Sequence, residues 1–374
     1  MKYVRFLRVG SILVLAILVL GVAILTPALA SNSAAQHTTQ TARQTNSSSL
    51  NAIVYLTTGS LASTFQNRID QQVPNAVNAA ISNMVSTLPA KDQGWATQMA
   101  TTLIQPSATL VSLYPQQSGL AMTLRLSLYP GDPKAITSSM LIGFRVSNSS
   151  TVQVSATPFN GGPSLVSGPL ATFHMPLGFL NSIHATPGCG SAALALNLQV
   201  PVAIGQTSSQ VQPLASNISR VTSHHLLTGN INSFIEVPAA SLSSLSSSIN
   251  SMPISNSLTA RNVRIVVQGS NIHILSDIYW NDFNVGTANT TTAPYAAGGK
   301  LVLQVLSTNL NVFDLFTFPL NSYNQQIQQT LNSKLGNAFA GKFYVAQAGI
   351  GPNGLLPCAA SNSLVLSGNI SALG

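Results

Sequence analysis

Between residues 60 and 88, Leu61, Phe65, Ile69, Val73, Val77, Ile81 and Val85 recur at every fourth position. Gln66, Asn67, Asp70, Gln71, Asn75, Asn78 and Asn83 lie between them. This spacing draws one apolar stripe along a polar helix. Ser60 suits its N-cap and Pro89 its stop, while Pro74 predicts a kink or a split. A second helix is expected over 91–104, with Trp95, Met99 and Leu103 on one side. The period then changes from four to two. Leu120, Met122, Leu124, Leu126 and Leu128 alternate with Ala121, Thr123, Arg125 and Ser127, as on a half-buried strand. The same alternation runs through Met140 to Val146, Val152 to Ala156 and Leu194 to Val202. Turn residues at Pro115, Gly131-Asp132-Pro133, Asn148-Ser149-Ser150 and Gly161-Gly162-Pro163 separate these runs. Strands joined by such short turns pair as an antiparallel meander.

The pattern fades into Ser and Gln over 203–230, which reads as a linker, and then restarts. A short helix is expected at 239–250. Strands follow at Val263, Ile265 and Val267, at Ile272, Ile274, Ile278 and Trp280, and at Leu301, Leu303 and Val305. Residues 310–318 are apolar and aromatic. Pro319 then suits the opening of a helix carrying Tyr323, Ile327, Leu331 and Leu335, with Gly336 as its stop. Strands at Phe343–Ile350 and Leu364–Leu366 end the chain. A sheet with one apolar face needs a cover, and the striped helices supply it. The expected class is α+β: two tandem units, 51–202 and 231–374, each a curved antiparallel sheet packed on a long amphipathic helix.

Four landmarks recur in the same order in both halves. An apolar strand runs into Ser-Leu and a helix, from Ile53 to Leu61 and again from Phe234 to Leu242. A Phe-x-apolar-Pro-Leu corner occurs at Phe173 to Leu177 and at Phe316 to Leu320. A lone cysteine follows, Cys189 and then Cys358, and after it a Leu-x-Leu strand, at Leu194 and Leu196, then Leu364 and Leu366. The offsets between copies differ, so each copy carries its own insertions. A duplicated strand-and-helix unit without a catalytic cluster reads as a binding scaffold.

Residues 1–30 have the layout of an export signal. Lys2, Arg5 and Arg8 precede an apolar run from Ile12 to Leu25, and Ala28-Leu29-Ala30 is a small-x-small cleavage site. An uncleaved N-terminal anchor is the alternative to cleavage. Residues 31–50 are polar enough to form only a flexible tether. The protein is therefore expected outside the cell or at its envelope. The chain has 15 Lys+Arg against 7 Asp+Glu; without Lys2, Arg5 and Arg8 the balance is 12 against 7, a net charge of +5. The basic residues are scattered, so no nucleic-acid footprint is present. A mild positive balance favours association with an anionic membrane surface. Two cysteines in an exported chain point to a Cys189–Cys358 disulfide, the alternative being two free buried thiols.

Catalytic and metal signatures are missing: His-Glu-x-x-His, Cys-x-x-Cys, a phosphate loop with lysine and Gly-x-Ser-x-Gly do not occur. Glu236 is the only glutamate, and Asp277 and Asp282 are the nearest pair of carboxylates. His224-His225 has no further metal ligands nearby, and nothing orients His184 toward Cys189. No enzyme, cofactor or metal is expected.

The long helix, the curved meander and the duplication resemble the tubular lipid-binding (TULIP-like) superfamily. The second half resembles LmeA-type phospholipid-binding proteins over 231–370. It does so through Ile235-Glu236-Val237-Pro238, the strands at 262–268 and 271–280, Gly299-Lys300-Leu301-Val302-Leu303, the Pro319-Leu320 segment and the turn from Gly349 to Leu356. The resemblance implies an exported, non-catalytic protein that binds phospholipid or another hydrophobic ligand. Its apolar groove would be lined by Leu61, Phe65, Ile69, Val73 and Val77 in one half. In the other half the lining would be Tyr323, Ile327, Leu331, Leu335 and Phe339. The competing expectation is a surface-tethered, adhesin-like interaction module in which these stripes are plain core.

Overall fold

Strand β1 (Ser48–Thr57) runs directly into helix α1 (Thr58–Ser86). This computed structural model describes residues 48–148, 151–159, 168–174, 179–202, 231–246, 251–254, 257–313, 315–335 and 343–370. The expected signal, the linker 203–230, Gly336 and Phe339 lie outside the described residues, and β1 begins within the segment read as tether. Thr57, not Ser60, caps α1: its hydroxyl accepts the Ser60 N–H at 3.2 Å. The helix runs for 29 residues, about 43 Å at 1.5 Å per residue. Pro74 lies inside it and does not split it. An internal proline costs about 3 kcal/mol. Buried Ile69 and Val73 before it, and Val77 and Ile81 after it, offset that cost through packing.

Helix α2 (Ala90–Leu103) follows and buries no residue. Five antiparallel strands then form a meander in sequence order: β2 (Ser107–Gln116), β3 (Gly119–Ser127), β4 (Ile136–Asn148), β5 (Thr151–Pro158) and β6 (Gly168–His174). On β3, Leu120, Met122 and Leu126 are buried, as the alternation predicts, and Ala121 is buried too. Strands β7 (Phe179–Ala185) and β8 (Ala192–Val202), which neighbour each other, complete this unit. Leu194, Leu196 and Leu198 of β8 are buried.

The other unit begins with β9 (Ser233–Val237) and helix α3 (Ala239–Ser246). A six-stranded antiparallel sheet follows in sequence order. Its strands are β10 (Ser251–Pro253), β11 (Leu258–Gln268), β12 (Asn271–Trp280), β13 (Phe283–Ala297), β14 (Lys300–Val312) and β15 (Phe316–Pro319). Pro319 ends β15 instead of opening a helix; a 3-10 turn at Asn321–Tyr323 intervenes before α4 (Asn324–Leu335). Strands β16 (Phe343–Ile350) and β17 (Leu364–Ile370) close the unit, with β17 between β16 and β9. Each unit is compact: one centres on Tyr55–Leu198, the other on Gln199–Ser371 with the residues leading up to Val54. Cys189 and Cys358 are disulfide-bonded and no cysteine is free.

Strand β13 escapes a reading of apolar alternation because its inward residues are threonines. Thr290 and Thr308 exchange a hydroxyl hydrogen bond at 3.2 Å, and the Thr292 hydroxyl donates to the Ile272 carbonyl at 3.0 Å. Buried hydroxyls are tolerated when paired in this way. Pairing with β12 stops at Ile272↔Thr292, so Pro294 removes no bond to that strand.

In both units a helix docks on an open strand edge through side-chain amides. β2 is the edge of its sheet. The Gln66 amide of α1 donates to the Ala108 carbonyl at 3.0 Å and accepts the Leu110 N–H at 2.7 Å. β15 covers β14 only from Asn309 to Val312. Beyond that cover, Asn332 of α4 accepts the Leu303 N–H at 2.8 Å and Gln328 accepts the Val305 N–H at 3.0 Å. Backbone groups that no strand reaches are thus satisfied by the helix that covers them.

Candidate functional site

The five residues expected to line a groove on α1 are core. Leu61, Phe65, Ile69, Val73 and Val77 are at most 7% exposed, and Ile81 and Val85 continue the same buried stripe. On α4, Ile327 and Leu331 are buried, whereas Tyr323 sits half-exposed in the preceding 3-10 turn. Leu335 ends α4, and Phe339 lies outside the described residues. None of Leu61, Phe65, Ile69, Val73, Val77, Tyr323, Ile327 and Leu331 lines the pocket of about 390 Å³ carried by the six-stranded sheet.

A different apolar surface emerges at one end of that sheet. On β12 the even-numbered residues Ile272, Ile274, Ser276 and Ile278 are buried, and Trp280 continues their parity. Phe283 stands directly opposite Trp280. On β14, Thr308 is buried and Leu310 and Val312 share its parity; Phe318 and Phe316 stand opposite them. Directly paired residues share a sheet face. The inner, apolar face of the sheet therefore continues to its end, yet Trp280, Phe283, Phe313, Leu315, Phe316 and Phe318 are all at least half exposed. The rings of Phe283 and Phe313 meet edge-on at 6.4 Å, and those of Phe316 and Phe318 lie 6.3 Å apart.

Helix length explains the exposure. α4 has 12 residues and β14 has 13. The helix spans about 18 Å and the strand about 44 Å. The Asn332 and Gln328 contacts place α4 over Leu303–Val305, so α4 does not reach the far end of β14.

Tight turns hold the aromatic end. Asn281 and Asp282 have φ of 45° and 69° and join β12 to β13 in two residues, as in a type I′ hairpin. Phe313 has φ 52°, a left-handed conformation that a bulky side chain rarely adopts. Strain of this kind concentrates at functional positions. Asp282 pairs with Arg261, whose guanidinium lies 4.5 Å from the Tyr279 ring centre, and Asp277 accepts the Asn262 amide at 2.7 Å. The nearest pair of carboxylates is thus occupied by separate structural partners.

The remaining candidates for chemistry are structural as well. Cys189 is disulfide-bonded, so His184 has no thiol nucleophile beside it. Glu236 is buried and accepts the Ala360 N–H at 2.9 Å, tying β9 to the segment before β17. Asp132 accepts the Lys134 and Leu128 N–H groups at 2.8 and 3.2 Å, and these bonds hold its carboxyl below the usual range. Among the described residues, no three His, Cys, Asp or Glu side chains are grouped as metal ligands. No helix of the described residues is long and apolar enough to cross a membrane.

The aromatic end was partly visible in the sequence as the apolar run 310–318. Its partners Trp280 and Phe283 join it only through strand pairing. No known family model matches the chain, and no curated protein matches it. Among solved structures, the crystal structure of P47 of Clostridium botulinum E1 aligns over 87% of this chain and 100% of that one. That alignment has 8% identity and a TM-score of 0.29, a likeness too low to assign a fold.

Proposed function

We propose that this protein binds lipid or another hydrophobic ligand at the cell envelope, without catalysis, and that phospholipid is the ligand class. The uncovered aromatic end of the six-stranded sheet carries this reading. Large apolar patches on soluble proteins mark interaction sites, and fully burying one phenylalanine contributes about 1.5–3 kcal/mol. Acyl chains laid along Phe283, Phe316 and Phe318 would continue onto the inner face toward Ile327 and Leu331 of α4. The disulfide is consistent with export.

Matching element orders support two tandem units of one ancestry, in line with the resemblance to the tubular lipid-binding superfamily. In each half of the chain a strand enters a helix, an antiparallel meander follows, of five strands in the first and six in the second, and a final pair of strands closes it.

Native mass spectrometry of the mature protein purified from its own envelope, followed by organic extraction, tests the reading. Stoichiometric co-purifying lipid is expected. A clean apo mass, with no uptake of fluorescent phospholipid, would replace this reading with the second one, a surface-tethered interaction module without ligand. The fully buried α1 stripe favours that second reading, because it behaves as filled core.

A further inference from the structure

The outward face of the six-stranded sheet is unlike its apolar inner face. Strand register lines up two neighbouring rows of side chains across it. In one row Arg264 stands opposite Leu275, Leu275 opposite Asn289, and Asn289 opposite Asn309. In the next, Asp277 stands opposite Thr287, Thr287 opposite Asn311, and Asn311 opposite Thr317. Groups within a row are about 5 Å apart and the rows about 7 Å apart. These residues line a pocket of about 390 Å³, within the range of small-molecule sites.

We propose that this pocket binds a neutral sugar, either as part of a glycan or as the headgroup of a glycolipid. Its functional groups are matched to vicinal hydroxyls, each of which donates and accepts. The Asn309 amide offers both a donor and an acceptor, and the Asn289 amide keeps its N–H donors beside the contact of its Oδ1 with His273 Nδ1 at 3.3 Å. The Thr287 and Thr317 hydroxyls donate and accept, the Arg264 guanidinium donates, and Asp277 keeps its second carboxylate oxygen while the first accepts the Asn262 amide. The side chains of Asn309, Thr287, Thr317 and Arg264 make no hydrogen bond within the described residues, so their polar atoms are open to a ligand. Half-buried Leu275 gives the floor an apolar spot for a C–H face of the ring. One arginine and one aspartate balance to zero charge, which complements an uncharged ligand and selects against a strongly anionic one. A single carboxylate is too few for a hard cation, which gathers several oxygen ligands.

The test uses the full mature chain. Binding to an array of neutral and acidic oligosaccharides is measured beside binding to phosphatidylcholine vesicles with and without a neutral monoglycosyl diacylglycerol. The proposal expects neutral sugars to be retained, on the array if the source is a glycan and on glycolipid vesicles only if it is a headgroup. The double variant Asn289→Ala/Asn309→Ala should bind the selected sugar at least tenfold more weakly, with an unchanged melting curve. Phe283→Ser/Phe316→Ser, on the opposite face, should bind sugar as the parent does. Failure to retain any neutral sugar on either surface overturns the proposal, as does retention of acidic sugars alone. Sugar binding that survives the asparagine variant but not the phenylalanine one assigns it to the aromatic end and also overturns the proposal. Loss of the sugar site leaves lipid uptake as a separate readout, so the two sites fail independently.

Discussion

Helices α1 and α4 do the same job over different lengths. α1 runs for 29 residues and buries its whole apolar stripe; α4 runs for 12 and leaves one end of its sheet bare. Both dock through side-chain amides on an open strand edge. Attachment is therefore common to the two units, and coverage is what separates them. The longer helix yields a closed core, the shorter one an exposed apolar rim. Thus apolar periodicity marks a face to be covered and not which end of it stays exposed: the α1 stripe, the most regular in the chain, is buried along its length.

The sharpest way to break this contrast is to empty the closed core. Phe65→Ala should destabilise its unit by about 3–5 kcal/mol, read by denaturant unfolding, while phospholipid uptake per folded molecule stays at the parent level. Uptake lost without unfolding would instead make the α1 stripe a groove. Next come the amide docks. Gln66→Leu and Asn332→Leu each strand backbone groups of an edge strand, and each should cost about 1–3 kcal/mol. A similar loss in the two units would sharpen the view that attachment is shared; a loss in one alone would undo it. Phe283→Ser/Phe316→Ser removes two exposed rings. It should change stability by no more than about 0.5 kcal/mol, as surface substitutions do. Lipid uptake, by fluorescent phospholipid titration, should fall at least tenfold, and an unchanged titration would remove the rim from the binding surface.

The smallest expected effect concerns pH. The native structure holds the Asp132 carboxyl below its ordinary value through two backbone N–H donors. Its stabilising contribution is thus complete above the unfolded carboxyl range and is lost as pH falls through the lower native value. Asp132→Asn should be less stable than the parent near neutrality, and the gap should close in strongly acidic solution. A gap that persisted unchanged at low pH would show that side-chain shape, not charge, holds this turn.

Strands β3, β4, β5, β11, β12 and β14 were legible because one face of each carries aliphatic residues at every second position. Strand β13 was not, since threonines paired to each other and to a carbonyl replace the aliphatics. The helix start was misplaced to Ser60 because Thr57 offers the same capping chemistry three residues earlier. Pro319 signals either a helix opening or a strand end, and pairing of Asn309 with Pro319 selects the strand. Gln66, Gln328 and Asn332 are polar residues of helical segments, indistinguishable in sequence from solvent-facing neighbours, yet they seal strand edges.

By itself, the sequence determined the periods of the main helices and most strands, because an apolar face must be buried whatever covers it. It also pointed to the pairing of its two cysteines, which the structure joins in a disulfide. Tertiary structure alone decided which apolar residues stay uncovered. That outcome depends on the mismatch between a short helix and a long strand, and on pairings that bring Trp280 and Phe283 beside Phe313, Phe316 and Phe318. Both are relations between segments, and neither is written in any one of them.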